Sequence, residues 1–256
     1  MKKFKPSSRP RPPWSRQRLA HAIWQRHTWR GWLGWCALTP VSLAFSLLAR
    51  GRNALYTLRW LPVTRAPLHV ISVGNLTVGG TGKTPLVLWL AQTLQARGHK
   101  VGILSRGYRG KNTGITVVGT EGLSLVTPTE VGDEPVMLAR RFAGVVIAGR
   151  DRVATARLAH QHFGLDTVIL DDGFQHRRLA RDVNLLLHGP TGIKNTWLLP
   201  AGPFREPRSA ARRADLLIVA KGNRQPAWVR RIEKKGKPIF YGNLVASALI
   251  NSVQRE

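Results

Sequence analysis

The most specific chemistry in this chain lies between positions 74 and 85, where Gly74 is followed by Asn75-Leu-Thr-Val-Gly-Gly-Thr-Gly-Lys-Thr84 and Pro85. A β-rich run at 68–74 precedes the glycines, and a helical pattern follows them to about Arg97. Strand, glycine-rich turn and helix in that order form a phosphate-binding loop. Thr77, Val78, Gly79, Gly80, Thr81, Gly82, Lys83 and Thr84 make up the loop itself. The usual pattern begins with glycine, where this chain has Thr77. Gly79, Gly80 and Gly82 still let the backbone turn its N–H groups towards phosphate oxygens, and the helix N-terminus adds its dipole. Lys83 would reach the β- and γ-phosphates and Thr84 would ligate Mg²⁺. Pro85 falls in the first helical turn, where a missing N–H costs little.

Only thirteen Asp and Glu occur in the chain, so their clustering carries information. An apolar run at 167–170 ends in Asp171-Asp172, the arrangement by which P-loop enzymes hold Mg²⁺ directly or through water. Adjacent strand residues face opposite ways, so one of the two is expected to be a direct ligand. The plainer alternative is a pair of solvated acids at a strand end. Asp133-Glu134 stands just before Pro135 at the start of a helical pattern, where acids also serve simply to complement the helix dipole. Gln175 and His176 follow the acidic pair in a loop; alone, each reads as an ordinary surface residue.

These groups must be positioned by the elements around them. Further β-type runs occur at 100–104, 145–148, 167–170, 183–187, 216–220 and 239–241, with helical patterns at 135–142, 151–163 and 227–235. The alternation predicts an α/β fold: a largely parallel sheet with helices on both faces and ligands at the carboxyl ends of the strands. No internal repeat is present.

Composition sets the outer bounds. At 256 residues, 43% apolar and 21% charged, the chain is long enough for one sizeable α/β domain or two small ones. Its one cysteine, Cys36, excludes an intramolecular disulfide framework and any Cys-cluster zinc site. The net charge of +27 calls for an anionic partner: nucleic acid, an acidic membrane surface or a phosphorylated substrate. No zinc spacing, aromatic RNA-binding motif or basic-zipper pattern accompanies the charge, so no specific nucleic acid is expected.

The first acid is Glu121, and nineteen Lys and Arg precede it. Six of the nine tryptophans (Trp14, Trp24, Trp29, Trp32, Trp35 and Trp60) lie in the first sixty residues. Basic residues mixed with Trp suit a lipid headgroup interface. Residues 31–49 carry no charge between Arg30 and Arg50, and as a helix would extend about 28 Å. That is close to the minimum for crossing a bilayer. Pro40 sits mid-segment, and Thr39, Ser42 and Ser46 form one mildly polar stripe. A helix lying in the interface and a spanning one both fit this pattern. A signal peptide fits less well, because the basic region ahead is too long and a nucleotide loop follows. The chain therefore divides into 1–30, a basic extension expected to be disordered, 31–65, a membrane-associated helical segment, and 66–256, a P-loop domain.

Five segments together carry a family resemblance: 74–85, Ser105-Arg-Gly-Tyr-Arg-Gly110, Val131-Gly-Asp-Glu-Pro135, Asp171-Asp-Gly-Phe-Gln-His-Arg-Arg-Leu179 and Pro200-Ala-Gly-Pro-Phe-Arg-Glu-Pro207. In this order, over about 36–250, the chain resembles the tetraacyldisaccharide 4′-kinase family of lipid A biosynthesis in Gram-negative bacteria. The resemblance implies a P-loop kinase-like fold that uses ATP and Mg²⁺. It implies phosphorylation of the 4′-hydroxyl of an acylated glucosamine disaccharide 1-phosphate, the lipid A precursor. It also implies an N-terminal hydrophobic helix on the cytoplasmic face of the inner membrane, an anionic surface. No obligatory protein partner is implied. Position by position, Lys83 and Thr84 correspond to ATP and magnesium contacts, and Asp171, Asp172 and Glu206 to the acidic metal-site positions. Asp133 corresponds to the catalytic base. Glu134, Arg106, Tyr108, Gln175, His176 and Arg205, with Arg150 beside them, correspond to the lipid headgroup site.

The family pattern continues past residue 256 into a second lobe with a late histidine that pairs with the catalytic Asp, whereas the last histidine here is His188. The expectation is a family member lacking the C-terminal part, which binds Mg-ATP but transfers phosphate weakly. Two other classes share some features. A membrane-bound partitioning or insertion ATPase would carry a second lysine early in the loop, where this chain has Val78. A polyanion-binding protein would need only the charge.

Overall fold

The computed structural model describes residues 16–25, 29–108, 110–189, 195–220 and 227–242. The basic tail at 1–15 lies outside them. Within the stretch expected to be disordered, α1 (Arg16–Gln25) is helical. It is held where Trp24 Nε1 donates to the Pro200 carbonyl at 2.9 Å. Helix α2 follows (Trp29–Thr57), running through Pro40 without a break.

The domain proper alternates strands and helices: β1 (His69–Gly74), α3 (Lys83–Ala96), β2 (Val101–Ser105), β3 (Thr116–Thr120), β4 (Leu123–Ser124), α4 (Pro128–Val131), α5 (Asp133–Arg141), β5 (Val145–Ala148), α6 (Arg152–Phe163), β6 (Thr167–Asp171), β7 (Val183–His188), β8 (Leu216–Ala220), α7 (Ala227–Glu233) and β9 (Ile239–Gly242). A 3-10 turn, Arg208–Arg213, leads into β8. The strands form one sheet in the order β4-β3-β5-β2-β6-β1-β7-β8-β9. All neighbours from β5 to β9 pair in parallel, while β3 runs antiparallel to both β4 and β5.

The expected parallel sheet is present, and the β3–β4 hairpin is an addition to it. Sequence patterning missed the hairpin because β4 is two residues long and β3 carries a register shift around Gly119. Its turn, Glu121-Gly122, has both φ angles positive (52° and 79°), a conformation usually signalled by Asn-Gly or Asp-Gly.

Alternation along the strands feeds two cores. Ile169 points to the face covered by α3 and α5, with Val87, Ala91, Leu138 and Phe142. Val168 and Leu170 point to the other face, against Val153, Ala156 and Ala159 of α6. A third core, beside β7 and β8, joins Phe174, Phe204 and α7, and Phe45 and Ala49 of α2 pack on it. Asp151 caps α6 by accepting from the Val153 and Ala154 amides, which fixes where that helix begins.

Helix α2 docks through Ser42 of its polar stripe, beside Phe45 and Ala49. Ser42 is fully buried and its hydroxyl donates to the Leu198 carbonyl at 2.7 Å. Farther along, Arg52 donates to the Gln175 carbonyl, and Asn53 is held by Glu206 and Arg177. The opposite side leaves Leu33, Leu43 and Leu47 exposed.

Candidate active site

The carboxyl ends of the adjacent strands β5, β2, β6 and β1 open into one cleft of about 1700 Å³. Into it come the glycine loop after β1, Arg106 and Tyr108 after β2, Arg150 and Arg152 after β5, Asp171 and Asp172 at the end of β6, and Gln175, His176, Arg205 and Glu206 from the loops beyond. Glu134 of α5 closes one side, and Phe45, Leu48 and Ala49 of α2 form an apolar wall on another.

The loop has the shape its sequence calls for. Gly82 caps α3 in the left-handed region (φ 84°), where a side chain would be strained. A Cβ built on Gly79 or Gly80 would meet nothing within 4 Å, so these backbones face open space of the kind a phosphate chain fills. Behind them, buried Asn75 ties the loop together. Its amide donates to Thr81 Oγ1 at 2.9 Å and its carbonyl oxygen accepts from Lys83 Nζ at 3.4 Å. Thr77 does not reach the cleft; it is buried and bridged to Phe204.

The acidic pair departs from simple strand alternation. Strand β6 ends at Asp171, and Asp172 takes a left-handed φ of 55°. That conformation is costly for a side-chain-bearing residue, and it brings both carboxyl groups to the cleft rather than one. Their environments then diverge. Burial pushes Asp172 up, but Lys83 at 3.5 Å and Arg205 at 2.6 Å outweigh it and hold the group below the usual carboxylate range. For Asp171, burial comes first and the charges of Glu134 and Asp172 add to it, pushing it up to about 7. Asp171 Oδ1 is buried without a hydrogen-bond partner, whereas Asp172 Oδ1 faces the Lys83 ammonium at 3.5 Å.

The unpaired Asp171 Oδ1 and Thr84 Oγ1, which donates to Glu134 Oε1 at 2.8 Å, are oxygen donors of the kind a hard cation such as Mg²⁺ takes. Among the described residues no group of three His, Cys, Asp or Glu could hold an ion alone. A magnesium ion here therefore fits as Mg²⁺ usually binds, sharing its coordination with nucleotide phosphate and water.

Glu206 belongs to a different network. Its buried carboxylate accepts from Asn53 Nδ2 at 3.0 Å, Arg213 Nη2 at 2.8 Å and Gln175 Nε2 at 3.3 Å. Asp133 is exposed at the first position of α5 and is not among the residues lining the cleft; its neighbour Glu134 is. Arg106, Tyr108 and Arg150 line the cleft and are exposed. His176 also lines it, and burial, followed by Arg152 and Arg181, pushes its pKa down to about 4. Its imidazole is therefore neutral at ordinary pH.

Two contributors were not visible in the sequence. Arg152 is 3% exposed, donates to the Asp171 carbonyl at 3.3 Å and keeps Nη1 unpaired, its pKa pushed down to about 10 by burial. It is the buried cation of this wall, whereas Arg150, two residues earlier, is at the surface. Asn75 stood inside the quoted motif without a role; a polar residue between an apolar strand and the glycines was the available signal.

Comparison with known proteins bears on the family of the chain. The family model described as tetraacyldisaccharide-1-P 4′-kinase matches residues 34–256. A tetraacyldisaccharide 4′-kinase of Pelobacter propionicus is 49% identical over 71% of this chain and 51% of its own length. One from Azoarcus is 47% identical over 71% of this chain and 52% of its own. The chain thus spans about half the length of the curated relatives it matches. The crystal structure of LpxK from Aquifex aeolicus in complex with ATP superposes with a TM-score of 0.73 at 39% identity, covering 81% of this chain and 64% of that one. With the family model matching residues 34–256 and the fold shared with that crystal structure, the chain belongs to the tetraacyldisaccharide-1-P 4′-kinase family.

Proposed function

We propose that this chain binds Mg-ATP in the cleft and carries the transferase site for phosphorylating the 4′-hydroxyl of an acylated glucosamine disaccharide 1-phosphate. One observation supports this most directly. A phosphate loop and an arginine-rich wall share a cleft with an apolar wall from α2, so a polar headgroup and an acyl chain find complementary surfaces side by side. Lys83 holds the transferring phosphate, and Asp172 keeps Lys83 and Arg205 oriented by its ion pairs. Asp171, Asp172 and Thr84 would hold a magnesium ion, which would neutralise charge on the phosphates. Arg106, Arg150 and Arg152 supply positive charge for an anionic headgroup, and the remaining problem is positioning.

The proton of the sugar hydroxyl goes to a carboxylate at the start of α5. The family resemblance favours Asp133; the cleft wall offers Glu134. Incubation with γ-labelled ATP and a purified lipid A disaccharide precursor tests the reading, with label expected on the lipid and at least about a hundredfold less with Lys83→Ala. Asp133→Asn and Glu134→Gln then identify the base by which one flattens the pH–rate profile.

Residues 31–65 act as the membrane segment at the cytoplasmic face of the inner membrane. The helix lies in the interface rather than crossing it. Gly31–Thr57 is long and apolar enough to span. Yet the docked stripe from Ser42 to Asn53 keeps the domain alongside the helix, where a spanning helix would have lipid. Its exposed leucines and Trp29 and Trp32 then face the acyl chains and headgroups.

A further inference from the structure

A continuous chain of hydrogen bonds runs from α2 to the catalytic lysine. Asn53 Nδ2 donates to Glu206 Oε1 at 3.0 Å, and Gln175 Nε2 donates both to Glu206 Oε2 at 3.3 Å and to the Asn75 carbonyl at 2.8 Å. The Asn75 side chain then holds Thr81 and Lys83. Glu206 is 2% exposed and Asn75 fully buried, while Asn53 and Gln175 are half-buried, so the acceptor carboxylate and the loop end of the chain are shielded from water. Every junction has one chemically permitted orientation. Glu206 is an acceptor, so Asn53 must present its amide nitrogen to it, even though its own Oδ1 is left buried and unpaired. Asn75 must present nitrogen to Thr81 because its oxygen takes Lys83.

We propose that Asn53, Glu206, Gln175 and Asn75 form a positioning relay by which the membrane-facing helix α2 holds the phosphate loop and Lys83 in their working geometry. The inference deepens the proposed function and rests on reading 77–84 as the ATP site. It gives α2 a second task beside attachment, and it assigns Glu206 to positioning rather than to the metal. Gln175 sits where the relay meets the acid loop, three residues after Asp172. Loosening α2 at Asn53 therefore disturbs the loop that carries both carboxylates as well as the lysine. Attachment and positioning use different faces of the helix, so they separate experimentally.

The test is hydrogen exchange of the 75–84 amides in the whole chain on phospholipid vesicles without nucleotide, together with Mg-ATP affinity by calorimetry. Asn53→Ala should raise exchange in 75–84 and weaken Mg-ATP about three- to tenfold, the size of coupling carried by single positions in packed networks. Asn53→Asp, isosteric but carrying a carboxylate towards Glu206, should do more, and Asn53→Gln, which keeps the donor, less. Ser42→Ala cuts a different α2 anchor, about three turns away, and should leave 75–84 unchanged. Unaltered exchange in Asn53→Ala and Asn53→Asp, or an equal rise in Ser42→Ala, overturns the relay. The exchange readout contains no nucleotide, so it judges the relay by itself. Unchanged Mg-ATP binding by Lys83→Ala instead overturns the phosphate-loop reading on which the relay depends.

Discussion

Helices α2 and α3 are both apolar, and they treat their apolar sides in opposite ways. In α3 the apolar residues Val87 and Ala91 are buried against the sheet, while its first turn presents Lys83 and Thr84 to the cleft. In α2 the buried side includes Ser42, and Arg52 and Asn53 bond the domain from it, while Leu43 and Leu47 are more than half exposed. A helix that shows its leucines outward and docks by hydrogen bonds has a second apolar environment to satisfy. The comparison teaches that apolar content does not reveal which face meets the protein. The few polar residues do, through the groups they must pair with.

The largest test falls on α3. Removing the Lys83 ammonium by Lys83→Ala deletes the charge that the proposed function sets on the transferring phosphate, worth about 10²–10³ in rate for a preorganised electrostatic group. The fold should be unaffected, since the side chain is held only at its tip by Asn75 and Asp172. Radiolabel transfer to the lipid precursor and far-UV circular dichroism measure the two halves of this expectation. The corresponding test of α2 is Leu43→Ser with Leu47→Ser. Each leucine withdrawn from lipid costs about 1.5 kcal/mol or more, so the pair should weaken vesicle binding by roughly a hundredfold. Mg-ATP affinity should stay constant. If the double variant sediments with vesicles like the parent, the outward face of α2 is not the lipid-binding face.

The contrast also explains what the sequence disclosed. The phosphate loop was legible because its chemistry is local: strand, glycines and helix are consecutive, and the backbone has few ways to join them. The parallel sheet was legible from apolar runs at regular intervals. Facing and pairing were not. The stripe of Thr39, Ser42 and Ser46 suggested a helix at the interface, but nothing in it says that Ser42 is bonded to a carbonyl 156 positions away. Asp171 and Asp172 were expected to point apart, which holds only while both are in a strand; the left-handed Asp172 lies one residue outside it. Arg152 was hidden by number, one cation among forty. The choice between Asp133 and Glu134 turns on a single step around a helix, which spacing cannot resolve.

A smaller effect separates the two carboxylates of the acid pair. Burial and its acidic neighbours push Asp171 up to about 7 when folded, from an ordinary 3.8. Between those values the folded state binds more protons than the unfolded one, so this group's contribution to stability falls as pH rises from about 4 to 7 and is level above. Asp171→Asn should therefore raise the melting temperature of the metal-free protein by a few degrees at pH 8 and change it little at pH 4. Asp172→Asn should lower it, because Lys83 and Arg205 lose the carboxylate that pairs them. Scanning calorimetry of both variants at the two pH values checks the expectation; equal shifts would mean that the two environments are alike.

The smallest expected effect concerns His176. Burial, with Arg152 and Arg181 next, lowers its pKa to about 4 from an ordinary 6.5. Here the unfolded state binds the extra proton first. Stability from this group is present above about pH 6.5 and is lost progressively as pH falls towards 4, the reverse of Asp171. The imidazole is only partly buried and solvent screens its neighbours, so the effect is modest. His176→Gln, neutral at every pH, should reduce the acid loss of melting temperature between pH 6.5 and 4 by about one or two degrees, given that 1 kcal/mol moves a domain of this size by about 2–4 °C. His188, also lowered by burial, lies outside the cleft lining on β7 and supplies the control. His188→Gln should likewise flatten the acid limb, but only His176→Gln should alter the pH dependence of binding for an anionic headgroup, because only His176 stands on the cleft wall with those arginines. A headgroup-binding profile that is identical in both variants would show that the neutral imidazole serves the fold alone.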